Sequence, residues 1–448
     1  MGRLSLAETR RRIGRLAGDS AYRELLFTSA QSLAVRLTGV ATGFLVTWYT
    51  ARYFSTDALG VVSICIGILS LAGIFAKLGH DVALMRYISG YAGESRMGAV
   101  RNIYRNSVRV ILPFSLLITA LLFFTADWMA IRLFHKPHLA SVLRWNSLIL
   151  LPLTMLQINS ECLRGVKRIV SYTYFQTAAV SVMALVLLIL SCFTDASENL
   201  PVYIQFVSIT VAFLLSQWSW YSIVRGHLPE TYELPDFRRI NRTAAPMFTT
   251  TLMQLIMSWT GILILAAFRD EANVGVFNAL VRISVFTNIT ILAVNGLMMT
   301  RFAAAYHSGD LTTLRRQSSQ ASRLIFFTAL PLFLVLFLFP AQVLSVFGEG
   351  FSGYESQLRL LLVSQFVVVM AGLPGQLLNM TGRQQVLRNI AIVSAAVNVV
   401  AALLFVPETG IDGAVWSQLA GTLVWNCWCV IAAYREFGFL TIVGFTRD

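Results

Sequence analysis

The sequence predicts an all-α, polytopic membrane protein with 12 transmembrane helices in two parallel-repeat six-helix bundles around a central cleft. Three observations predict it. The 448 residues are 56% hydrophobic and only 13% charged, about half the charged share of a soluble globular chain. Apolar runs of about 20 residues, the length a helix needs to cross a bilayer, recur along the whole chain. The two halves carry matching residues at an offset near 215.

The first 24 residues are polar and arginine-rich, and the apolar run behind them is of full spanning length, so it reads as a retained first helix rather than a cleaved signal. Arg10, Arg11, Arg12 and Arg15 with Leu6, Ile13 and Leu16 suit either a short surface helix or a basic tail. Spans are expected near 25–49, 60–80, 109–126, 142–163, 172–193, 202–224, 244–267, 275–300, 323–347, 357–380, 389–406 and 413–434. Pro113, Pro152, Pro246, Pro331 and Pro374 fall where they can kink or break these helices. The expected organisation is a basic segment at 1–24, a six-helix bundle at 25–224, a linker at 225–243, a second bundle at 244–434 and a tail at 435–448.

Of the 35 Lys and Arg residues, 26 fall on the side of the termini, 6 on the opposite side and 3 inside spans. By the positive-inside rule both termini are expected in the cytoplasm. The net charge of +13 does not mark a nucleic-acid binder, because the basic residues are scattered through short loops. Anionic membrane lipid suits them better. The five cysteines, Cys65, Cys162, Cys192, Cys427 and Cys429, lie in or beside apolar spans, so no disulfide is expected. Neither Cys427-x-Cys429 nor His135-x-x-His138 has a second ligand pair, and no metal or other cofactor is expected.

The duplication sets Gly60-Val61 against Gly275-Val276, Arg86-Tyr87 against Arg301-Phe302 and Leu143-Arg144 against Leu358-Arg359. With a small slip, Gly165 matches Gly382. Six spans per half place the second repeat in the same orientation as the first, about an axis along the membrane normal. The buried charges do not repeat. Arg36 corresponds to Thr251, Lys77 to Leu292 and Arg282 to Gly67.

Ionisable residues inside spans are the first candidates for function. On the first helix Thr28, Ser32, Arg36, Gly39, Gly43, Thr47 and Thr50 share one arc, with Leu33, Leu37, Val40 and Phe44 on the side suited to lipid. Arg36 either lines a wet cavity for an anion or is paired inside a packed bundle. Lys77 either joins it or pairs with Asp81, four residues on. On the eighth span Arg282 shares a broad polar arc with Asn278, Ser284, Asn288 and Asn295. Asp81 and Glu161 are the acids available for charge pairing or ion coupling. Three cations against few acids favour an anion, above all a phosphate gripped by arginine. No nucleotide-binding loop, zinc-protease motif or nucleophile elbow is present, so no catalytic residue is assigned.

Several segments carry a family resemblance. Arg52-Tyr53-Phe54-Ser55-Thr56-Asp57-Ala58-Leu59-Gly60-Val61, Lys77-Leu78-Gly79 with Ala83-Leu84-Met85-Arg86-Tyr87, and Val274-Gly275-Val276-Phe277-Asn278-Ala279 are three. Leu378-Asn379-Met380-Thr381-Gly382-Arg383 and Gly410-Ile411-Asp412-Gly413-Ala414 are two more. In order and spacing the chain resembles the polysaccharide transporters, often called O-antigen or exopolysaccharide flippases, of the multidrug/oligosaccharidyl-lipid/polysaccharide flippase superfamily. The resemblance implies transfer of a polyprenyl-diphosphate-linked oligosaccharide across the bacterial inner membrane by alternating access, with glycan polymerase or glycosyltransferase partners. Related lipid II flippases use basic residues on spans one, two and eight, where Arg36, Lys77 and Arg282 lie. Substrate contacts are therefore expected from Arg36, Arg282, Lys77, Asn288 and Asn295. A multidrug extruder of the same fold, or a membrane glycan polymerase or ligase, are the competing readings.

Overall fold

The computed structural model describes residues 20–77, 80–191, 199–228, 230 and 237–443. The expected N-terminal surface helix and Cys192 lie outside them. Each expected span falls on a helix. In the first half these are α1 (Ser20–Tyr49), α2 (Thr56–Lys77), α3 (Met97–Trp128), α4 (Leu139–Gly165), α5 (Ile169–Leu190) and α6 (Leu200–Val224). In the second they are α7 (Phe237–Phe268), α8 (Glu271–Val285, continued as Ile289–His307), α9 (Leu311–Leu338), α10 (Glu355–Ala371 with Pro374–Met380), α11 (Gln384–Thr409) and α12 (Ile411–Phe437). Among the described residues ten helices are long and apolar enough to cross a membrane, or 11 with the bent pair counted as one span. The 30-residue α1 is long enough as well, but Arg36 and its many threonines and glycines dilute its apolar character.

Several spans depart from expectation: the third begins at Met97 rather than near 109, the eighth is interrupted by a 3-10 turn, and the ninth and tenth differ as well. The tenth is not continuous: Ala371 and Pro374 flank a break at which the axis turns by 45°. Gly372 there adopts φ +74°, and Pro374 has no N–H to continue the ladder. The ninth begins at Leu311, well before the expected 323, because Asp310 caps it by accepting a hydrogen bond from Thr313 N at 2.9 Å. Pro113, Pro152 and Pro331 lie within helices that continue past them.

The duplication is visible as contact between equivalent residues. A Cβ on Gly60 would collide with the Glu271 carbonyl oxygen, and one on Gly275 with the Thr56 carbonyl oxygen. Thr56 and Glu271 are themselves related by the repeat offset. One turn further in, Asn278 Nδ2 donates to Ser63 Oγ, a pair separated by that same interval of 215 residues. α2 and α8 therefore cross at a two-fold pseudo-axis, with the same surface used by both repeats. Bare glycine at both positions lets the two backbones touch, the close approach by which helices associate in lipid.

Around this crossing the cores divide by depth. At the face opposite the termini, one cluster joins both halves through Leu59, Phe134, Leu139, Val274, Phe347 and Phe351. At the terminal face the halves have separate cores, one around Ile88, Leu163 and Trp220 and the other around Phe302, Leu314 and Leu377.

Substituting Gly275 by Val drives a side chain into the α2 backbone and is expected to abolish the monodisperse peak of the solubilised protein in fluorescence size-exclusion chromatography. Gly296→Val, on the same helix with nothing within 4 Å of its Cβ position, is expected to leave that peak within about twofold of wild type.

Candidate functional site

Of the two spanning arginines, Arg282 reaches the seam between α1 and α8. The Arg282 guanidinium lies over Gly43: a Cβ there would stand 3.7 Å from Nη1. Its Nε donates to Asn278 Oδ1 at 3.3 Å, and Asn278 passes the link on to Ser63 of α2. Arg282 is thus oriented by the residues that sit on the pseudo-axis, while its terminal nitrogens carry no ion pair among the described residues. Gly43 and Arg36 lie two turns apart on one face of α1, about 10 Å along the axis. Arg36 is half-buried and likewise makes no ion pair with a described carboxylate. It stands close enough to Tyr172 to act on its phenol electrostatically, together with Glu161 and Arg164. Neither guanidinium is in an ion pair with a described carboxylate, although Glu161 lies near enough to Arg36 to act on the same Tyr172 phenol.

The rest of α1 is more enclosed than its wheel implied. Gly39 lies against the Thr177 carbonyl of α5, and Thr42 Oγ1 shares a 2.8 Å hydrogen bond with Ser181 Oγ. Phe44 does not face lipid. It packs edge-on against Phe286 at 5.0 Å and Phe347 at 5.5 Å, across to the second half. The wheel set it on the side suited to lipid but could not show that a second bundle covers that side.

The other expected site residues separate. Glu161 is paired with Arg164 of its own helix at 3.4 Å, and Arg164 also lies 5.2 Å from the Tyr172 ring centroid. Lys77 is the last residue of α2 and half-buried. Asp81 belongs to the following helix, His80–Gly93; its side chain, and hence the expected Lys77–Asp81 pair, lies outside the described residues. The expected continuous polar arc of α8 is broken by a 3-10 turn at Phe286–Asn288. This re-phases the helix. Asn288 Nδ2 turns to Gln365 Oε1 of α10 at 2.5 Å, Ser284 is buried against the Val281 carbonyl, and Asn295 enters a separate cavity inside the second half. The arc predicted as one surface is three environments.

Access to the seam is closed at the face opposite the termini. Lys136, in the α3–α4 connection, donates to the Arg269 carbonyl at 2.8 Å and lies 3.6 Å from Glu271 Oε2. His138 Nε2 lies 2.8 Å from the other oxygen of Glu271. Trp48 Nε1 donates to the Val346 carbonyl at 2.9 Å. Lys136 and Glu271 are 9% and 8% exposed. Burial lowers the Lys136 pKa from the ordinary lysine value, and Glu271 beside it pushes the other way. His138 was read as a loop residue, solvated or a weak metal candidate; its partner here is a carboxylate from the other half. Sequence reasoning missed this latch because Glu271 and Lys136 lie far apart in the chain and outside the apolar runs. It also missed Gln365 and Gln376, neutral groups in spans that attract no notice beside three charges.

With this geometry in view, known proteins can be compared. A sequence profile described as polysaccharide biosynthesis protein matches residues 30–298. The chain belongs to that family. No curated protein matches it significantly. Among solved structures, an inward-facing multidrug resistance MATE family transporter of the MOP superfamily superposes with a TM-score of 0.74 at 16% identity, covering 92% of this chain and 98% of that one. An outward-facing multidrug resistance MATE family transporter gives 0.62 at 15% identity, covering 92% and 95%. A MOP superfamily transporter from Pyrococcus furiosus, described as having a binding pocket of reverse polarity, gives 0.64 at 17% identity, again covering 92% and 95%. This polysaccharide biosynthesis protein therefore has the transporter fold of that superfamily, one seen in both inward-facing and outward-facing conformations.

Glu271→Gln removes the acid from a buried ion pair, a loss worth about 3–5 kcal/mol. The expected outcome is a longer or broader distance distribution between spin labels at Trp48→Cys and Val346→Cys in the E271Q protein, measured by electron double resonance.

Proposed function

We propose that this protein is a flippase for a polyprenyl-diphosphate-linked oligosaccharide, moving it from the inner to the outer leaflet of the bacterial inner membrane for O-antigen or exopolysaccharide export. The observation that carries this reading is that Arg36 on α1 and Arg282 on α8, two helices in contact at Gly43, make no ion pair with a described carboxylate. A buried cation without a counter-ion is costly in a membrane, and a diphosphate offers both arginines a counter-ion with bidentate hydrogen bonds. Family membership supports a glycan-bearing substrate.

In this reading the diphosphate occupies the seam, the polyprenyl chain stays in the bilayer and the glycan fills the cleft between the halves. The latch around Glu271 closes one face while the cores of the two halves stay separate at the other. The lysine and arginine distribution puts the termini, and hence that second face, in the cytoplasm. Loading from the cytoplasmic leaflet, rocking about the α2–α8 crossing and release outside complete the cycle. A glycan polymerase or glycosyltransferase would supply or consume the substrate, with no catalytic group required from this chain.

The multidrug reading draws on the MATE structures that share the fold. An organic cation would meet two arginines that make no ion pair with a described carboxylate, so the charge disfavours it.

Arg36→Gln and Arg282→Gln are each expected to cut surface glycan at least about tenfold at matched membrane abundance, the loss of one charge-assisted contact, in a deletion strain complemented with the variant. Normal glycan in both variants would sink the reading. Drug resistance on overexpression with no glycan phenotype would transfer it to the extruder.

A further inference from the structure

Polar groups of the second half that serve neither the latch nor the arginines converge on one cavity. It lies between α7, α8, α11 and α12 and the break in α10, with a volume of about 360 Å³. Thr251, Gln254, Asn295, Gln376, Asn379 and Trp425 are in its wall, and among the described residues no Asp, Glu, Lys, Arg or His lines it. Asn295 Oδ1 and Gln376 Nε2 are buried with no hydrogen-bond partner among the described residues. One is an acceptor and the other a donor, and a buried polar atom left unmatched is costly. The α10 break faces the same space through Gly372, Leu373 and Pro374. Non-helical backbone at membrane depth is tolerated where it lines a polar cavity.

The repeat supplies a control within the molecule. Under the register that sets Gly165 against Gly382, the counterpart of Gln376 is Asn159. Asn159 is fully engaged: its Oδ1 accepts from Tyr104 at 2.8 Å, and its Nδ2 donates to Ser216 Oγ at 3.1 Å and Gln217 Oε1 at 3.0 Å. In the first half this polar cluster satisfies itself, whereas in the second the equivalent Gln376 Nε2 has no partner among the described residues. Arg36 has Thr251 as its counterpart, and Thr251 is in the cavity wall. The doubled scaffold thus holds a cationic version of the site in one half and a neutral, amide-lined version in the other.

We propose that the α10-break cavity is a subsite for neutral sugar residues of the substrate, distinct from the arginines that hold its diphosphate. The inference rests on the lipid-linked oligosaccharide reading above. Each sugar hydroxyl donates and accepts, which matches amides that present both functions. The half-buried Trp425 indole offers an apolar face to the C–H side of a pyranose ring. A wall without charge gives a phosphate nothing to bind. Asn295 follows Arg282 on α8 by a distance of about 20 Å along the helix, so one elongated substrate reaches both.

The test uses purified full-length protein and two probes: lipid-linked oligosaccharide extracted from cells deleted for this protein, and sugar-free polyprenyl diphosphate. Wild type is expected to bind the glycosylated probe at least about tenfold more tightly, a difference of roughly 1.4 kcal/mol. Asn295→Leu/Gln376→Leu is expected to reduce that preference below about twofold while binding the sugar-free probe as wild type does. Trp425→Leu, made separately, is expected to weaken only the glycosylated probe. Equal binding of both probes by wild type overturns the subsite and leaves the diphosphate reading intact. Retention of the preference by the double variant also overturns it, as does equal loss of both probes. Failure of wild type to bind either probe defeats the lipid-linked reading itself.

Discussion

The crossing of α2 and α8 sets the geometry of everything else. Within a bilayer, apolar burial does little to hold one helix against another, so close backbone contact and a few hydrogen bonds must do it. Gly60 and Gly275 permit that contact, each against a carbonyl of the opposite helix. Because the two glycines are equivalent positions of a duplicated sequence, the contact is self-complementary. Asn278 and Ser63, also equivalent positions, add a hydrogen bond one turn deeper. The same Asn278 then accepts from Arg282. The hinge between the halves and the orientation of a candidate substrate cation therefore share one residue, which ties the position of the charge to the relative position of the halves.

Two seams flank the axis, and pseudo-symmetry makes them equivalent: α1 with α8, and α7 with α2. They are built differently. At the α7–α2 seam the counterpart of Arg282 is Gly67, and Trp259 and Leu263 close over it. At the α1–α8 seam Gly43 leaves room for the Arg282 guanidinium. One seam is filled with aromatic and aliphatic side chains, the other with positive charge. A symmetric scaffold thus acquires a polarity by exchanging a glycine for an arginine on one side and keeping the aromatic packing on the other.

Much of this was legible in one dimension. The spans were legible because hydrocarbon demands long apolar runs, and all twelve fall on helices. The repeat was legible because glycines that permit helix contact cannot be replaced by larger residues without loss of the contact. Arg36 and Arg282 stood out because charge in an apolar run is conspicuous. The amides did not stand out. Asn295 was grouped with Arg282 by helical phase, and a 3-10 turn at Phe286–Asn288 undid that phase. Gln376 and Gln365 carried no visible signal, since an amide in a span reads the same whether it is bonded to a neighbour or left open.

The sequence by itself determined the membrane class, the placement of the apolar helices, the duplication and the excess of cations over acids. These follow from local properties: hydropathy, charge count and residue identity at a fixed offset. The tertiary structure alone decided which charges remain unneutralised, because pairing depends on which helices become neighbours. It set Glu161 against its own helix's Arg164, brought Lys136 and Glu271 together from different halves, and left Arg36 and Arg282 without an ion pair among the described residues. It also decided that Phe44 meets Phe347 rather than lipid. Hydropathy tells an apolar residue to leave water, and in a membrane that demand is met equally by lipid and by protein, so only packing could choose between them.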